Sequence, residues 1–334
     1  MHGDAAHDEA GLYEDWGVRS PQWAGVRSVS TRVCGVRVHF VRAEPASEAP
    51  PDAPVHVLVP PMTGSASMWM DLVPPLRQLG AVVSVDMPGS IAGGTDDPYR
   101  HGPRPELDAR FVRAFVRHLG HEKVVLHGWS MGGLVAALAA GLMPEQVRAV
   151  VLVAPALPWR RTSRGEALGW HTVGRLAVVA VPPAARILCR LAGPRLLDTK
   201  RTAVGGAGTP TSGVDRITGS DLSRISRAQI DLWIDSLDAA RAHPERLAPA
   251  AAAFASTTRA MFVAQKSTNQ ALDDVRVPVL VVWGTADQLI DPPSLRMHAR
   301  RPGWTARPIE DVGHLLPLEA PAVYVHEVSA WLAG

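Results

Sequence analysis

A chain of 334 residues exceeds one average domain but suits a single large core that carries an insertion. Its hydrophobic fraction of 46% is enough for a sizeable core, so disorder is not expected except at the ends. The 34 basic and 32 acidic side chains leave a formal net charge of +2, which gives no electrostatic reason to expect nucleic acid or an anionic membrane as a partner.

The N-terminal segment, residues 1–27, shows no clear hydrophobic period and is predicted to be a tail or a loosely attached arm. Residues 1–15 lack the apolar region of a signal peptide. The most apolar long stretch, residues 173–191, is interrupted by three arginines and two prolines, which argues against a membrane span. We therefore expect a cytoplasmic protein. Cys34 and Cys189 lack metal-ligand spacing and are predicted to be buried free thiols.

Strand-like and helix-like segments alternate along the first half of the chain. A hairpin is predicted over Ser28–Val33 and Val36–Val41, with a turn at Cys34-Gly35. The segments that follow are a strand at 55–59, a helix at 67–79, a strand at 81–85, a helix at 107–119, a strand at 123–127, a helix at 131–142 and a strand at 147–153. Such alternation with short connections predicts a mostly parallel sheet with helices on both faces.

The alternation stops after residue 155 and resumes near residue 272. Between them, helices are predicted at 225–242 and 247–265 beside a Gly/Thr/Ser-rich loop at 205–219, with no strand that would extend the sheet. The core then continues with a strand at 277–283, a helix at 292–299, a strand at 305–309 and a helix at 321–332. We predict an α/β core formed by residues 28–155 and 272–334, with residues 156–271 as a helical cap over the ligand-binding carboxyl edge of the sheet.

The central chemical signal is the run Gly128-Trp129-Ser130-Met131-Gly132, followed by Gly133. A predicted strand ends at Gly128 and a predicted helix begins just after the serine, which is the setting that a nucleophile elbow requires. On such a turn the serine hydroxyl projects from the edge of the sheet, and the helix N-terminus behind it stabilises developing negative charge. Ser130 is therefore the predicted nucleophile.

A serine hydroxyl needs a base near neutral pH, and at an elbow of this kind the acid and the histidine follow the serine in that order. Asp287 lies on the turn after the strand at 277–283, and His314 lies on the loop after the strand at 305–309. Asp291 competes with Asp287, but it occupies an apparent helix N-cap before two prolines. The other histidines include His127 at a strand end and a group that looks like solvated surface: His118, His121, His298 and His326.

These three motifs, in this order, resemble the α/β-hydrolase superfamily over residues 29–332. The resemblance is to its capped branch, which holds carboxylesterases, thioesterases, carbon–carbon bond hydrolases and cofactor-free haloperoxidases. The stretch from Gly128 to Ala136 is similar to carboxylesterases that remove the methyl group of an acyl-chain methyl ester in biotin synthesis. Serine at the elbow differs from the aspartate of epoxide hydrolases and haloalkane dehalogenases.

The resemblance also implies an oxyanion hole and a substrate pocket. The N–H groups of Met62 and Met131 take the donor positions, although Pro60-Pro61 stand where the superfamily usually carries His-Gly. Asp86-Met87-Pro88-Gly89 matches a structural turn of the family. The candidates for lining the pocket, each equally compatible with ordinary packing, are Trp69, Trp129, Trp159 and Leu315.

The sequence thus predicts a serine hydrolase that cleaves a carboxylic ester or related acyl compound through an acyl-enzyme on Ser130. The apolar composition of the cap indicates a small-molecule, largely apolar acyl substrate. No metal or organic cofactor is expected. Thioester hydrolysis, carbon–carbon bond hydrolysis, acyl transfer in a biosynthetic pathway, and a ligand-receptor role on the same fold remain alternatives. A homodimer is left open.

Overall fold

The computed structural model describes residues 14–62, 64–100, 102–161, 163, 213–243 and 246–334, and they contain an eight-stranded sheet. Its spatial order is β1-β2-β4-β3-β5-β6-β7-β8; β2 pairs antiparallel with both of its neighbours, β1 and β4, and every other pair of neighbouring strands is parallel. The strands are β1 (Val26–Val33), β2 (Val36–Ala43), β3 (Val55–Val59), β4 (Val82–Val85), β5 (Val124–Trp129), β6 (Val147–Val153), β7 (Val279–Gly284) and β8 (Trp304–Ile309). The predicted fold class is confirmed.

Nine α-helices lie in the described part of the chain. They are α1 (Val73–Leu76), α2 (Pro105–Leu119), α3 (Met131–Leu142), α4 (Arg227–Ala242), α5 (Leu247–Thr258), α6 (Gln265–Asp273), α7 (Pro292–His298), α8 (Leu316–Glu319) and α9 (Pro321–Ala333). Every residue of β3 and β5 is buried, because helices cover both faces of the parallel strands. This burial on two faces explains why these strands are continuous apolar runs in the sequence.

The predicted hairpin is present, and its two-residue turn has positive φ at both positions. Cys34 has a φ of 51° and Gly35 a φ of 85°, which matches the right-handed twist of the flanking strands. The prediction of a buried thiol is wrong for Cys34, because this turn is exposed and carries its side chain into solvent. Cys189 lies outside the described residues.

The single helix predicted for residues 67–79 is a series of short turns instead. The 3₁₀ segments Ala66–Trp69 and Arg77–Leu79 flank α1, which has only four residues. Pro74 and Pro75 explain the break, because a proline has no N–H to donate to the preceding turn.

Part of the segment predicted as a tail or loose arm is packed against the core. Trp16 and Trp23 are 2% and 0% exposed, and their rings meet edge to face with centroids 6.1 Å apart. The indole N–H of Trp16 donates to Ser28 Oγ at 3.0 Å, and that of Trp23 donates to Asp71 Oδ1 at 3.0 Å. Two indoles bury enough apolar surface to anchor the segment from residue 14 onward.

In the described part of the predicted cap the regular elements are helices, apart from an isolated antiparallel bridge between Val214 and Asp221. The helix predicted for 247–265 is α5, which continues as a π-helical turn, Arg259–Val263, before the chain bends into α6. Among the described residues no single helix has the length and apolarity to cross a membrane; the bent pair Leu247–Val263 and Gln265–Asp273 meets that test by length and composition alone, with an angle of 84°. Residue 162 and residues 164–212 of the predicted cap, which include the stretch 173–191 and most of the loop 205–219, lie outside the described residues.

Candidate active site

Ser130 lies on the sharp turn between β5 and α3, in a conformation that few side chains adopt. Its φ is 55° and its ψ is −117°. The backbone holds it there, because the Ser130 N–H donates to the Val153 carbonyl at 2.9 Å. Its own carbonyl accepts from the Gly133 N–H at 3.0 Å and the Ala156 N–H at 2.9 Å. Strain that the surroundings enforce in this way is typical of a functional residue.

Glycines around Ser130 let three backbone segments approach closely. A Cβ added at Gly128 would lie 2.2 Å from the Gly132 carbonyl oxygen, so the strand and the helix can meet only because Gly128 has no side chain. A Cβ at Gly132 would lie 2.4 Å from the Pro60 carbonyl oxygen. The N-terminus of α3 is thus in contact with the end of β3 as well as with β5.

Asp287 and His314 form a buried hydrogen-bonded pair. Asp287 follows β7, His314 follows β8, and Asp287 Oδ2 lies 2.7 Å from His314 Nδ1. Both residues are 7% exposed. The other carboxylate oxygen accepts from the Leu289 N–H at 2.7 Å. Because Nδ1 is held by the carboxylate, His314 presents Nε2 as the nitrogen that remains for proton transfer.

Trp129 connects the His314 loop to the serine turn. The Trp129 indole N–H donates to the His314 carbonyl at 3.0 Å, and the two ring centroids are 6.3 Å apart. Trp129 directly precedes Ser130 in the chain. This bond therefore links the backbone of the predicted base, His314, to the residue next to the predicted nucleophile. The structure therefore brings Ser130, His314 and Asp287 to one edge of the sheet.

The two predicted oxyanion-hole donors lie at the ends of β3 and β5. In the described part of the chain neither the Met62 N–H nor the Met131 N–H has a hydrogen-bond acceptor. Unpaired N–H groups at the start of α3 and on the loop facing it are suited to bind an oxyanion. Asp86 braces this loop from behind, since Oδ1 accepts from the Ala66 N–H at 2.5 Å and Oδ2 lies 2.6 Å from His39 Nδ1.

The competing acid and histidines have other positions. Asp291 caps α7, accepting from the Ser294 N–H at 3.0 Å, as predicted.

Both ring nitrogens of His127 have hydrogen-bond partners inside the core. The partners are His56 Nδ1 at 2.8 Å and the Tyr324 hydroxyl at 2.6 Å, and burial keeps the pKa of His127 well below the usual value. The prediction that His298 is solvated is wrong, because it is 0% exposed and bonds the Pro158 carbonyl at 2.7 Å.

The four candidate pocket residues fall into two groups. The indoles of Trp69 and Trp129 are 0% and 1% exposed and pack edge to face at 5.8 Å, and Leu315 is 5% exposed, so in the structure all three make packing contacts. Trp159 is 37% exposed and packs against Phe262 with centroids 5.1 Å apart. A pocket role for these residues stays a prediction.

Sequence reasoning missed residues that hold the His314 loop. Gly313 donates its N–H to Glu319 Oε2 at 2.9 Å, and Leu315 donates its N–H to Ser220 Oγ at 2.9 Å. His314 itself donates its N–H to the Thr218 carbonyl at 2.9 Å. Ser220 and Leu315 are 95 positions apart, and no periodicity or motif in the sequence signals such a contact.

The model of the alpha/beta hydrolase family matches residues 57–327. The chain belongs to that family. The curated relatives of this family member include a dihydrolipoyllysine-residue acetyltransferase component of the acetoin cleaving system from Cupriavidus necator, 26% identical over 290 residues. That match covers 86% of the chain and 64% of the relative's length. A pimeloyl-[acyl-carrier protein] methyl ester esterase from Edwardsiella ictaluri is 33% identical over 90 residues, 27% of this chain and 32% of that protein.

The fold of this family member is similar to solved structures. Cfl2 from Burkholderia cenocepacia superimposes with a TM-score of 0.65 at 21% sequence identity, over 92% of this chain and 96% of that chain. At that identity the similarity speaks for the fold, and activity has to be argued from the site.

Proposed function

We propose that this alpha/beta hydrolase cleaves a carboxylic ester or a related acyl compound through an acyl-enzyme on Ser130. The observation that carries the proposal is the strained Ser130 turn, whose neighbour Trp129 bonds the backbone of His314 while Asp287 bonds the imidazole. Nucleophile, base and orienting acid each follow the end of a different strand, and together they are the three groups that activate a serine hydroxyl.

The proposed reaction proceeds in two halves. His314 removes the proton of Ser130 as the oxygen attacks the carbonyl carbon, and the same histidine then protonates the leaving alcohol. The N–H groups of Met131 and Met62 stabilise the oxyanion of each tetrahedral intermediate. Water, deprotonated by His314, attacks the acyl-enzyme; the bond from the acyl carbon to Ser130 then breaks, His314 returns the proton to the serine oxygen, and the carboxylic acid leaves.

The proposed substrate is a small, largely apolar acyl compound. Partial support comes from the cap, where Trp159 and Phe262 present an aromatic pair that is partly exposed. The match to a methyl ester esterase over 90 residues is a second, limited support for ester chemistry.

The test is steady-state hydrolysis of p-nitrophenyl esters from acetate to long acyl chains, with Ser130→Ala beside wild type. Circular dichroism checks that the variant is folded. We expect turnover by wild type and its loss in Ser130→Ala, by several orders of magnitude, because loss of the nucleophile leaves only residual catalysis. The dependence of turnover on acyl chain length then indicates the size of the substrate pocket. Equal turnover by both proteins would show that Ser130 is not the nucleophile.

Reaction with a fluorophosphonate tests whether Ser130 is a nucleophile, whichever ester is the substrate. An activated serine oxygen displaces fluoride from its phosphorus, and mass spectrometry of peptides locates the adduct. Labelling of Ser130 without ester turnover would keep the nucleophile and reject simple esters as substrates. Absence of labelling together with absence of turnover would contradict the serine-hydrolase proposal.

Acyl transfer is the second candidate, favoured by the match to an acetyltransferase component over 290 residues. In that case an alcohol or thiol, instead of water, attacks the acyl-enzyme. Addition of such acceptors to the p-nitrophenyl ester assay distinguishes the two functions. Both reactions release p-nitrophenol, but transfer requires an acylated acceptor among the products, whereas hydrolysis releases the acyl group as the free acid.

A further inference from the structure

The feature is a closed turn at the edge of the sheet, formed by residues Val214–Asp221 of the predicted cap; we refer to it as the return turn. The Val214–Asp221 bridge closes its ends. Inside it, Asp215 Oδ2 accepts from the Thr218 hydroxyl at 2.6 Å, and the Asp215 N–H donates to the Ser220 carbonyl at 2.8 Å. These internal bonds make the return turn a preformed unit with a fixed shape.

The return turn supplies two of the three acceptors that hold the backbone around His314. The Thr218 carbonyl accepts from the His314 N–H, and Ser220 Oγ accepts from the Leu315 N–H, each at 2.9 Å. Ser220 is 0% exposed, so no solvent competes for its hydroxyl. These two bonds fix the peptide groups on both sides of the His314 Cα. They therefore also fix the orientation of the bond from Cα to the imidazole side chain.

Glu319 joins the return turn to the same loop. Its Oε2 accepts from the Gly313 N–H at 2.9 Å, and its Oε1 accepts from the Asp221 N–H at 3.2 Å. Arg224, three residues beyond the turn, lies 3.5 Å from Glu319 Oε1 and donates to the Asp311 carbonyl at 2.7 Å. A carboxylate that is 5% exposed therefore bridges the two segments instead of remaining unpaired.

Two glycines allow the return turn to enter between the loops that carry the acid and the base. Gly219 has a φ of 72°, and a Cβ there would lie 1.9 Å from the Ala286 carbonyl oxygen, next to Asp287. A Cβ at Gly313 would lie 2.3 Å from the Ser220 backbone nitrogen. The turn is thus in van der Waals contact with both loops, and a shift of the turn cannot leave them unchanged.

We propose that the return turn, acting through the Ser220 hydroxyl and the Thr218 carbonyl, positions His314 and so couples the cap region to the base. Ser220 is a positioning residue, since it acts on Leu315 and not on substrate. The inference rests on the proposed serine-hydrolase function and deepens it. Its consequence is that the geometry of the base depends on a segment that belongs to the inserted region.

The experiment measures the rate of Ser130 modification by a fluorophosphonate in Ser220→Ala. The matched control is Ser223→Ala, because the exposed Ser223 hydroxyl donates to Asp221 Oδ1 at 2.6 Å, whereas Ser220 Oγ accepts from Leu315 in the His314 loop. We expect Ser220→Ala to be modified about tenfold to a hundredfold more slowly than wild type, because small displacements of a base are costly. We expect Ser223→Ala to match wild type. Ser220→Cys, which keeps a weak acceptor of similar size, should recover part of the rate.

A second readout is the proton NMR resonance of His314 Nδ1–H in its bond to Asp287, assigned by its loss in His314→Ala. It should weaken or shift in Ser220→Ala and stay unchanged in Ser223→Ala, which general destabilisation would not produce. Folded Ser220→Ala could instead show the wild-type rate of Ser130 modification and the wild-type His314 resonance, while His314→Ala is labelled slowly. That result would overturn the positioning role and leave the proposed function intact. If Ser130→Ala is labelled as fast as wild type, the proposed function itself fails. Should Ser220→Ala not fold, a Ser220→Cys rate equal to wild type overturns the role and a reduced rate supports it.

Discussion

Asp287 and Asp291 stand four positions apart on one loop, but their surroundings give them different tasks. Asp287 faces His314 Nδ1, whereas Asp291 accepts from the backbone at the start of α7. A carboxylate that accepts the Nδ1 proton selects the tautomer in which Nε2 is free to receive a proton. An N-cap contributes to helix stability and has no such effect on a histidine.

We predict that Asp287→Asn lowers kcat for ester hydrolysis by about three to four orders of magnitude, because an amide in place of the carboxylate favours the wrong imidazole tautomer. Asp291→Asn is the matched control and should keep near wild-type kcat, since asparagine is an equally good N-cap. Steady-state kinetics with p-nitrophenyl esters provide the measurement. A larger loss in Asp291→Asn than in Asp287→Asn would assign the acid to Asp291 instead.

The helix α3 illustrates what the sequence predicts well at the level of elements. Its bounds, Met131–Leu142, are those predicted, because the apolar run between the elbow and Met143 has helical length and contains no proline. The sequence predicts the segment 67–79 less well, since its apolar spacing favours a helix while Pro74 and Pro75 remove two backbone N–H donors. Hydrophobic periodicity therefore predicts a helix correctly only where the sequence also supplies the backbone N–H donors that a helix needs.

Gly132, at the N-terminus of α3, has a role that periodicity does not reveal. We predict that Gly132→Ala lowers kcat by about a hundredfold, because its Cβ would lie 2.4 Å from the Pro60 carbonyl oxygen and push the helix from the loop that carries Met62. Gly141→Ala, in the same helix, is the control. Its Cβ would meet nothing closer than 3.6 Å, so this change should leave kcat unchanged and stabilise the helix by up to about 1 kcal/mol.

Steady-state kinetics and urea denaturation of both glycine variants check this prediction. Unchanged kcat in Gly132→Ala would mean that the approach of α3 to the end of β3 is not needed for oxyanion stabilisation.

For the molecule as a whole, the sequence predicts the sheet, the chain order of its elements and the contact between Asp287 and His314 at its edge. Those features follow from local patterns: apolar runs, glycine turns and the positions of strand ends. Long-range polar contacts do not leave such patterns. Ser220 with Leu315, and His127 with Tyr324, are pairs whose partners are fixed only once the sheet has formed.

Burial of charge is one such long-range property, and Asp108 is a clear case. It lies on α2 one turn before Phe111 and Val112, on the helix face that enters the core, and it is 1% exposed. Burial raises its pKa to about 8, and the nearby carboxylates of Asp97 and Glu106 act in the same direction. The folded protein therefore carries Asp108 protonated at pH 7, while the unfolded chain carries it ionised.

The sign of the resulting pH dependence follows from proton linkage. Below 3.8, the ordinary pKa of an aspartate, both states hold the Asp108 proton, so burial carries no ionisation cost. As the pH rises toward about 8, folding must take up a proton that the unfolded chain has lost, and the free energy of unfolding falls.

Asp108→Asn replaces the titrating carboxyl group with an amide, so folding of this variant takes up no proton at residue 108. Its stability relative to wild type should therefore increase between pH 4 and pH 7, by up to about 1.4 kcal/mol per pH unit. Urea denaturation at both pH values measures the difference, with Glu122→Gln as control, because this exposed carboxylate is not among the groups that shift the pKa of Asp108. An Asp108→Asn difference that stays constant with pH would show that the carboxyl group is ionised in the folded protein.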